Sequence, residues 1–578
     1  MISLRTQNRF GLLELLLILF FLPFSPAWAA PPLLAGAAAL PITPADEEGR
    51  LWQEPYEDLN GNGRYDAPDP AFPKRRGEPF TDLNGNGKWD GPFLAGFLHR
   101  GPYYTAAGVH DPLWARALVL EQGETTLAIV ALDVVGFSYP DVLRIREGVA
   151  DLGLTQVIVA STHTHGGIDT LGLWGPNFST DGKDPRTIAW IISQSERAIR
   201  QAWAARRPAR LTWGKGRPLS RFGALINDLR DPVVIDDELR VMRAEDLDGK
   251  TIAALVNWSP HPETSGGISA YLTSDFPHYL RKGIEEGGFS VGGKRATGIG
   301  GIAIYVSGSV GGLLTPLRIS VLDDDQEPIP ERSWAKVQRI GELAAWTALE
   351  ALRTPASPPI VRIELRSRTL FVPFDNLFLR GLYDKGLFQR ETYRDGKAAG
   401  KEGTDLLTEV DLINFYTAQG IFAQLATLPG EPFPELSLGG HLKEKKRCWA
   451  YTDRKRRLGG NGKERIGPAH PEIPPEPALA EKMAGEYRFI LGLGNDELGY
   501  IVPANDFVPP QFKPSLRYGT DRCGDDDHYE EIVSAGSQMA PRVVAALMAL
   551  LKGDEELRTA ETEETILNPS WVRRGEGR

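Results

Sequence analysis

An apolar, β-branched run, Val157-Ile-Val-Ala-Ser161, stops at Thr162-His-Thr-His-Gly-Gly167. If the run is a buried strand, side chains at i and i+2 leave on one face, so His163 and His165 point together at its carboxyl end. That geometry grips a metal or a hydrolytic water. Taken alone it equally suits a strand-end turn whose imidazoles are hydrogen-bonded and inert. The rest of the chain has to decide between the two.

From Gly96 onward the apolar periodicity alternates between two and 3.6 residues. Thr126 to Phe137, Gln156 to Ser161, Ile252 to Trp258 and Ile302 to Val306 read as strands. Asp141 to Gly153, Asp184 to Arg206, Phe276 to Glu286 and Ser333 to Arg353 read as helices. Further strand-like pieces, Ile360 to Val372, Ile421 to Thr427 and Phe489 to Leu493, lie among Gly- and charge-rich loops before a last helix, Ala535 to Leu551. Alternation of this kind predicts an α/β class: a layered sheet-and-helix catalytic domain over 94–553 with its site at strand carboxyl ends. A charged tail over 554–578 follows and is expected to be mobile. The short basic run Lys443 to Arg447 reads as a solvated loop.

Ahead of this domain, Arg5 and Arg9 precede the apolar run Leu12 to Phe24, and Ala27-Trp-Ala29 follows. Positive, apolar and A-x-A regions in that order predict a secretory signal over 1–29 and a secreted or periplasmic protein. In an oxidising compartment Cys448 and Cys523 are free to pair, although two cysteines make no disulfide framework. A net charge of −11 over 578 residues argues against nucleic acid as a partner, and no later segment is long and apolar enough to span a membrane.

A Pro/Ala-rich linker is expected over 30–53, followed by an internal repeat over 54–93. Glu54-Pro-Tyr-Glu-Asp-Leu-Asn-Gly-Asn-Gly-Arg-Tyr-Asp66 returns as Glu78-Pro-Phe-Thr-Asp-Leu-Asn-Gly-Asn-Gly-Lys-Trp-Asp90. Asp58, Asn60, Asn62 and Asp66, and then Asp82, Asn84, Asn86 and Asp90, place side-chain oxygens at loop positions 1, 3, 5 and 9 with Gly at position 6. This is the first part of an EF-hand loop. Position 12 departs from it, since Asp69 suits a ligand and Phe93 does not, which leaves Glu54 and Glu78 as candidate substitutes. The expected occupant is structural Ca²⁺.

Several strand-like runs end in residues that bind metals or move protons. Besides His163 and His165, Ala253-Ala-Leu-Val-Asn-Trp-Ser-Pro260 runs into His261, Leu425-Ala-Thr-Leu-Pro-Gly430 into Glu431, and Phe489-Ile-Leu-Gly-Leu-Gly-Asn495 is followed by Tyr500. Two histidines and a carboxylate form a familiar catalytic zinc set with one position left for water.

These residues resemble the neutral, non-lysosomal ceramidase family over most of Gly108 to Gly536. The carriers are Gly108-Val-His-Asp-Pro-Leu-Trp-Ala-Arg-Ala117, Leu132-Asp-Val-Val135, Thr162-His-Thr-His-Gly-Gly167, Asn257-Trp-Ser-Pro-His-Pro262, Pro429-Gly-Glu431, Gly499-Tyr500 and His528-Tyr-Glu530. The resemblance implies a Zn²⁺ ion held by His163, His261, Glu431 and Tyr500, with His165 and Tyr529 lining the site. It implies hydrolysis of the N-acyl amide bond of ceramide or a related N-acyl lipid, with at most peripheral membrane contact; the oligomeric state stays open.

The chain departs from the family where a Gly-Asp-x-Ser-Pro turn is replaced by Ser309-Val-Gly-Gly-Leu-Leu-Thr-Pro316. Thr315 stands for the catalytic serine and Leu313 for the aspartate. Arg221 and Arg230 compete as the substrate-contacting arginine, and no counterpart of the family's carboxy-terminal β-sandwich is expected after the last helix. An ester, lactone or small amide therefore remains an alternative substrate of the same zinc site, and a decayed, calcium-stabilised binding protein an alternative of another class.

Overall fold

The computed structural model describes residues 30–553 except 69–76, 98–104, 177–179, 229, 231–232, 267–269, 313, 441–446, 449–462, 465–469, 471 and 510–529. The expected signal at 1–29, the tail at 554–578, Tyr529, Leu313, Asp69 and Cys523 lie outside the described residues.

Eight strands form the larger sheet: β1 (Leu34–Pro41), β2 (Trp114–Gln122), β3 (Thr125–Leu132), β4 (Gln156–Ser161), β5 (Arg207–Gly216), β6 (Leu239–Asp246), β7 (Thr251–Trp258) and β8 (Ile302–Ser307), in the order β8-β7-β6-β5-β1-β2-β3-β4. The β3–β4 and β7–β8 pairs are parallel, as their crossovers through helices require. All six residues of β4 are buried, so its unbroken apolar run reflects cover on both faces.

A second sheet contains β9 (Arg362–Pro373), β10 (Asp405–Thr417), β11 (Gly420–Thr427) and β12 (Tyr487–Leu491), with β11 and β12 parallel. The two sheets pack face to face. Leu118, Leu120, Ile129, Ile158, Leu255 and Ile304 of the first meet Ile413, Phe415, Leu425 and Phe489 of the second around the buried Trp213. Alternate residues of the same strands point outward. Ala115, Ala117, Val119 and Val130 meet α1 (Tyr139–Gly148) and α2 (Pro185–Ala204), while Val241, Val256 and Tyr305 meet α3 (Phe276–Glu285) and α4 (Trp334–Ala351). The outer face of the second sheet is covered by α5 (Met539–Lys552). The layering is thus helix, sheet, sheet, helix.

The local sequence explains the helix boundaries. Asp184 caps α2 by accepting from the Arg186 amide at 2.9 Å with Pro185 at the first position, and the Ser333 hydroxyl accepts from the Lys336 amide to cap α4. One expectation fails here. Residues 34–41, assigned to a linker, form β1 in the middle of the large sheet, paired with β2 along its whole length and with β5 through Leu34 and Ala35. Its small side chains are what the packing demands: a Cβ on Gly36 would lie 2.1 Å from the Ala202 carbonyl of α2.

The 54–93 repeat packs around Tyr65, Trp89 and Phe93, with Tyr65 and Trp89 stacked at 4.6 Å. Each Asp that opens a loop accepts from the amides within it: Asp58 from Gly61, Asn62 and Gly63, and Asp82 from Gly85, Asn86 and Gly87. The two glutamates cross over. Glu78 accepts from the Leu59 and Asp66 amides of the first loop, and Glu54 from the Leu83 and Asp90 amides of the second. Each oxygen of each glutamate thus accepts one backbone amide of the opposite copy, which ties the two loops together.

Candidate metal centre

The site forms where parallel strands end. His163 and His165 follow β4, His261 follows β7, Glu431 follows β11, and Glu497 and Tyr500 follow β12. His163 has φ 64°, the left-handed region that a β-carbon disfavours, and Leu493 and Asn495 in the loop after β12 share it. Strain of this kind costs on the order of 1–3 kcal/mol per residue and persists where surrounding contacts fix it. Those contacts are present. The His163 amide donates to the Val134 carbonyl, the Ser161 amide to the Leu493 carbonyl, and the Asn495 amide to the Val159 carbonyl, so the loop after β12 is locked onto β4. Glu431 and Tyr500 sit opposite each other in a short parallel pairing, which sets the Tyr500 backbone beside the cluster; its ring lies 6.3 Å from that of Phe433.

Hydrogen bonds on the far side of each ring orient the imidazoles. His163 Nδ1 lies 2.5 Å from the Val135 carbonyl and His261 Nδ1 3.2 Å from that of Leu314. A carbonyl only accepts, so each Nδ1 carries hydrogen and, in the neutral ring, the Nε2 lone pair faces inward. There, His163 Nε2 is 3.3 Å and His261 Nε2 3.1 Å from Glu431 Oε2, and His165 Nε2 is 3.2 Å from His163 Nε2. Ligands held tetrahedrally at about 2.0–2.1 Å from zinc would be separated by roughly 3.3–3.4 Å. The donor set, its spacing and its pinned tautomers fit such an ion.

The electrostatics agree with a cluster that wants a cation. Burial disfavours charge on both partners, yet the Glu431 carboxylate raises His163 to about 9, and His163 and His261 together hold Glu431 at about 2. Two acids in the cluster escaped the sequence reading. Glu263, two residues after His261, places Oε2 3.5 Å from His165 Nδ1 and accepts the Thr315 hydroxyl on Oε1. Glu497 lies with His163 and Glu431 in a group whose ligand atoms all fall within 4.8 Å of one another. Burial raises the carboxyl of each, and Glu431 raises Glu497 further. Their signal was an acidic residue inside a strand-end segment already carrying a candidate ligand.

Thr315 is buried and donates its hydroxyl to Glu263. Neither arginine proposed for substrate contact reaches the imidazoles in a described contact. Arg230 is buried among Glu530, Glu531 and Asp506, with Glu531 at 2.8 Å. Arg221 is exposed, lies over Phe222, and lines an open cleft of about 600 Å³ with Lys215, Trp346 and Tyr487, whose wall includes none of the cluster residues.

No protein-family model matches the chain. Neutral ceramidase from Pseudomonas aeruginosa is 29% identical over 188 residues, 29% of this chain and 27% of that protein. This chain is a relative of the neutral ceramidases. The matched stretch spans about a quarter of that relative's length. In fold, the crystal structure of the Pseudomonas aeruginosa neutral ceramidase superposes with a TM-score of 0.55 at 16% identity, covering 92% of this chain and 76% of that one. A structure described as ceramidase complexed with C2 gives a TM-score of 0.53 at 16% identity, covering 92% and 77%. The ceramidase fold and the motif resemblance thus coincide.

Proposed function

We propose that the chain is an exported, zinc-dependent amidohydrolase that cleaves the N-acyl bond of ceramide or a related N-acyl lipid into fatty acid and amine. The observation that carries this is the convergence of three imidazole Nε2 atoms and Glu431 Oε2 at 3.1–3.3 Å, with two rings fixed by backbone carbonyls. His163, His261 and Glu431 would hold the ion, with the Tyr500 phenol as a fourth donor, and zinc would acidify water and polarise the amide carbonyl. The chain's own residues would do the rest. His165, backed at Nδ1 by Glu263, takes the proton of the attacking water on Nε2 and returns it to the leaving amine. Val135 and Leu314 carbonyls keep the other two rings from turning. Burial of the cluster excludes competing water.

A second reading keeps this centre and changes the substrate to an ester, lactone or small amide. It is favoured by Thr315, whose hydroxyl is engaged by Glu263 and whose methyl group crowds the position a serine would leave open. Calcium in the loops around Asp58 and Asp82 belongs to the same proposal as a structural ion. Export rests on the positive, apolar and Ala-Trp-Ala pattern of residues 1–29.

The test is metal analysis of the purified chain together with fatty-acid release from a fluorescent N-acyl-sphingosine, for wild type and His261→Ala. About one zinc per chain and acyl release lost in the variant is the expected result. Zinc without acyl release moves the assignment to the second reading, and wild type without zinc sinks both.

A further inference from the structure

Glu497 is 6% exposed and stands against a second carboxylate, Glu431, at the imidazole cluster. Its Oε1 accepts the Gly499 amide at 2.8 Å, which fixes the carboxylate plane, while its buried Oε2 has no hydrogen-bond partner among the described residues. An orphaned, buried carboxylate oxygen is costly, and two neighbouring carboxylates raise that cost. The fold nevertheless makes room for it. A Cβ on Gly136 would lie 2.5 Å from Glu497 Cγ and 2.8 Å from its Cβ, so the residue after Val135, the one that orients His163, has to be glycine for Glu497 to reach inward. The loop after β12 that delivers Glu497 is the strained one tied to β4.

We infer that Glu497 is a further ligand of the centre, supplying through Oε2 a second carboxylate to the ion that His163, His261 and Glu431 hold. The inference rests on the metal-centre reading above. Two carboxylates neutralise a divalent ion, and a donor set balanced between imidazole and carboxylate accepts harder ions such as Mn²⁺ more readily than an imidazole-rich one. The Tyr500 phenol then becomes one of two oxygen donors delivered by the same loop.

The experiment uses the metal-stripped full chain, titrated with Zn²⁺ and with Mn²⁺ in competition with a chromophoric chelator, and the visible spectrum of the Co²⁺ form. Glu497→Gln is expected to weaken zinc binding by at least about 10–100-fold and manganese binding by more, and to change the Co²⁺ absorption. Gly136→Ala, which keeps every donor but presses on Glu497, is expected to fall between wild type and Glu497→Gln. Glu497→Asp keeps the charge on a shorter arm and serves if the Gln variant does not fold; it too should lose affinity. Zinc binding within threefold of wild type and an unchanged Co²⁺ spectrum in Glu497→Gln would overturn the assignment, as would loss of turnover with metal retained. His261→Ala separates the two claims: if it also retains zinc the centre itself is wrong, whereas its loss of zinc beside an unaffected Glu497→Gln removes this inference alone.

Discussion

The tandem loops at 54–93 and the cluster after β4 both gather potential ligands, and they treat them in opposite ways. In the loops, Asp58 and Asp82 are exposed, and their carboxylates are lowered chiefly by amides of their own turn, those of Gly63 and Gly87. Glu54 and Glu78 are buried but doubly occupied by amides of the opposite copy. In the cluster, three Nε2 atoms and a carboxylate face one another, and backbone carbonyls take only the outward nitrogens. Burial and acidity are common to both regions. What separates them is what the inward atoms meet: backbone amides in the loops, and only one another in the cluster, a donor set that a cation can bridge.

The largest effect that would break this contrast is at His163. His163→Ala is expected to abolish stoichiometric zinc and to reduce acyl release by at least about a hundredfold, more than an outer partner would cost; elemental analysis and turnover check it. A smaller effect sharpens the contrast with a buried acid that does have partners. Asp411 accepts from Gln156 at 2.8 Å and Asn495 at 2.5 Å, and burial, reinforced by Glu409, pushes it up to about 6. A carboxyl raised from 3.8 in the unfolded chain favours the fold below about pH 4, and that contribution, about 3 kcal/mol, is lost as pH rises through 6. Asp411→Asn should flatten denaturant stability over that window by a comparable amount.

In the loops, Glu54→Ala leaves the Leu83 and Asp90 amides without their acceptor and should cost about 1–3 kcal/mol in thermal or urea unfolding. Its signature is location: calcium affinity should fall at the Asp82 loop, not at the Asp58 loop in the same copy. Equal loss at both loops would contradict the crossed arrangement. The smallest effect is that of a calcium-selective chelator, expected to shift Trp89 fluorescence and lower the melting temperature by a few degrees while zinc content stays constant.

Much of this was legible in the sequence. The limits of β4 match the expected strand Gln156 to Ser161 to the residue, and α2, α3 and α4 match the expected helices within one or two residues at each end, because long periodic segments with capping residues specify themselves. β1 was not legible, since Leu-Ala-Gly-Ala-Ala-Ala-Leu-Pro has the composition of a linker and its smallness is imposed by α2, which no local pattern encodes. Nor was β10. Glu409, Asp411 and Asn414 are buried there, and they break the apolar pattern because they answer Gln156, Arg146 and Gln424 across or along the sheets. At the site, His163, His261 and Glu431 announced themselves as polar residues closing apolar runs. Glu263 and Glu497 did not, because only the fold shows that their carboxyls turn inward.

The position of β1 has a consequence for how the molecule assembles. It comes first in sequence of the eight strands of its sheet, yet it lies between a half-sheet built from residues 114–161 and one built from residues 207–307. β2 is the earlier-made neighbour and pairs with β1 along its whole length, whereas β5, which meets it only through Leu34 and Ala35, is made later. Closing β1 onto β5 is the long-range step that joins the halves, across a loop of more than a hundred residues, in contrast to the quick local pairing of β2 with β3.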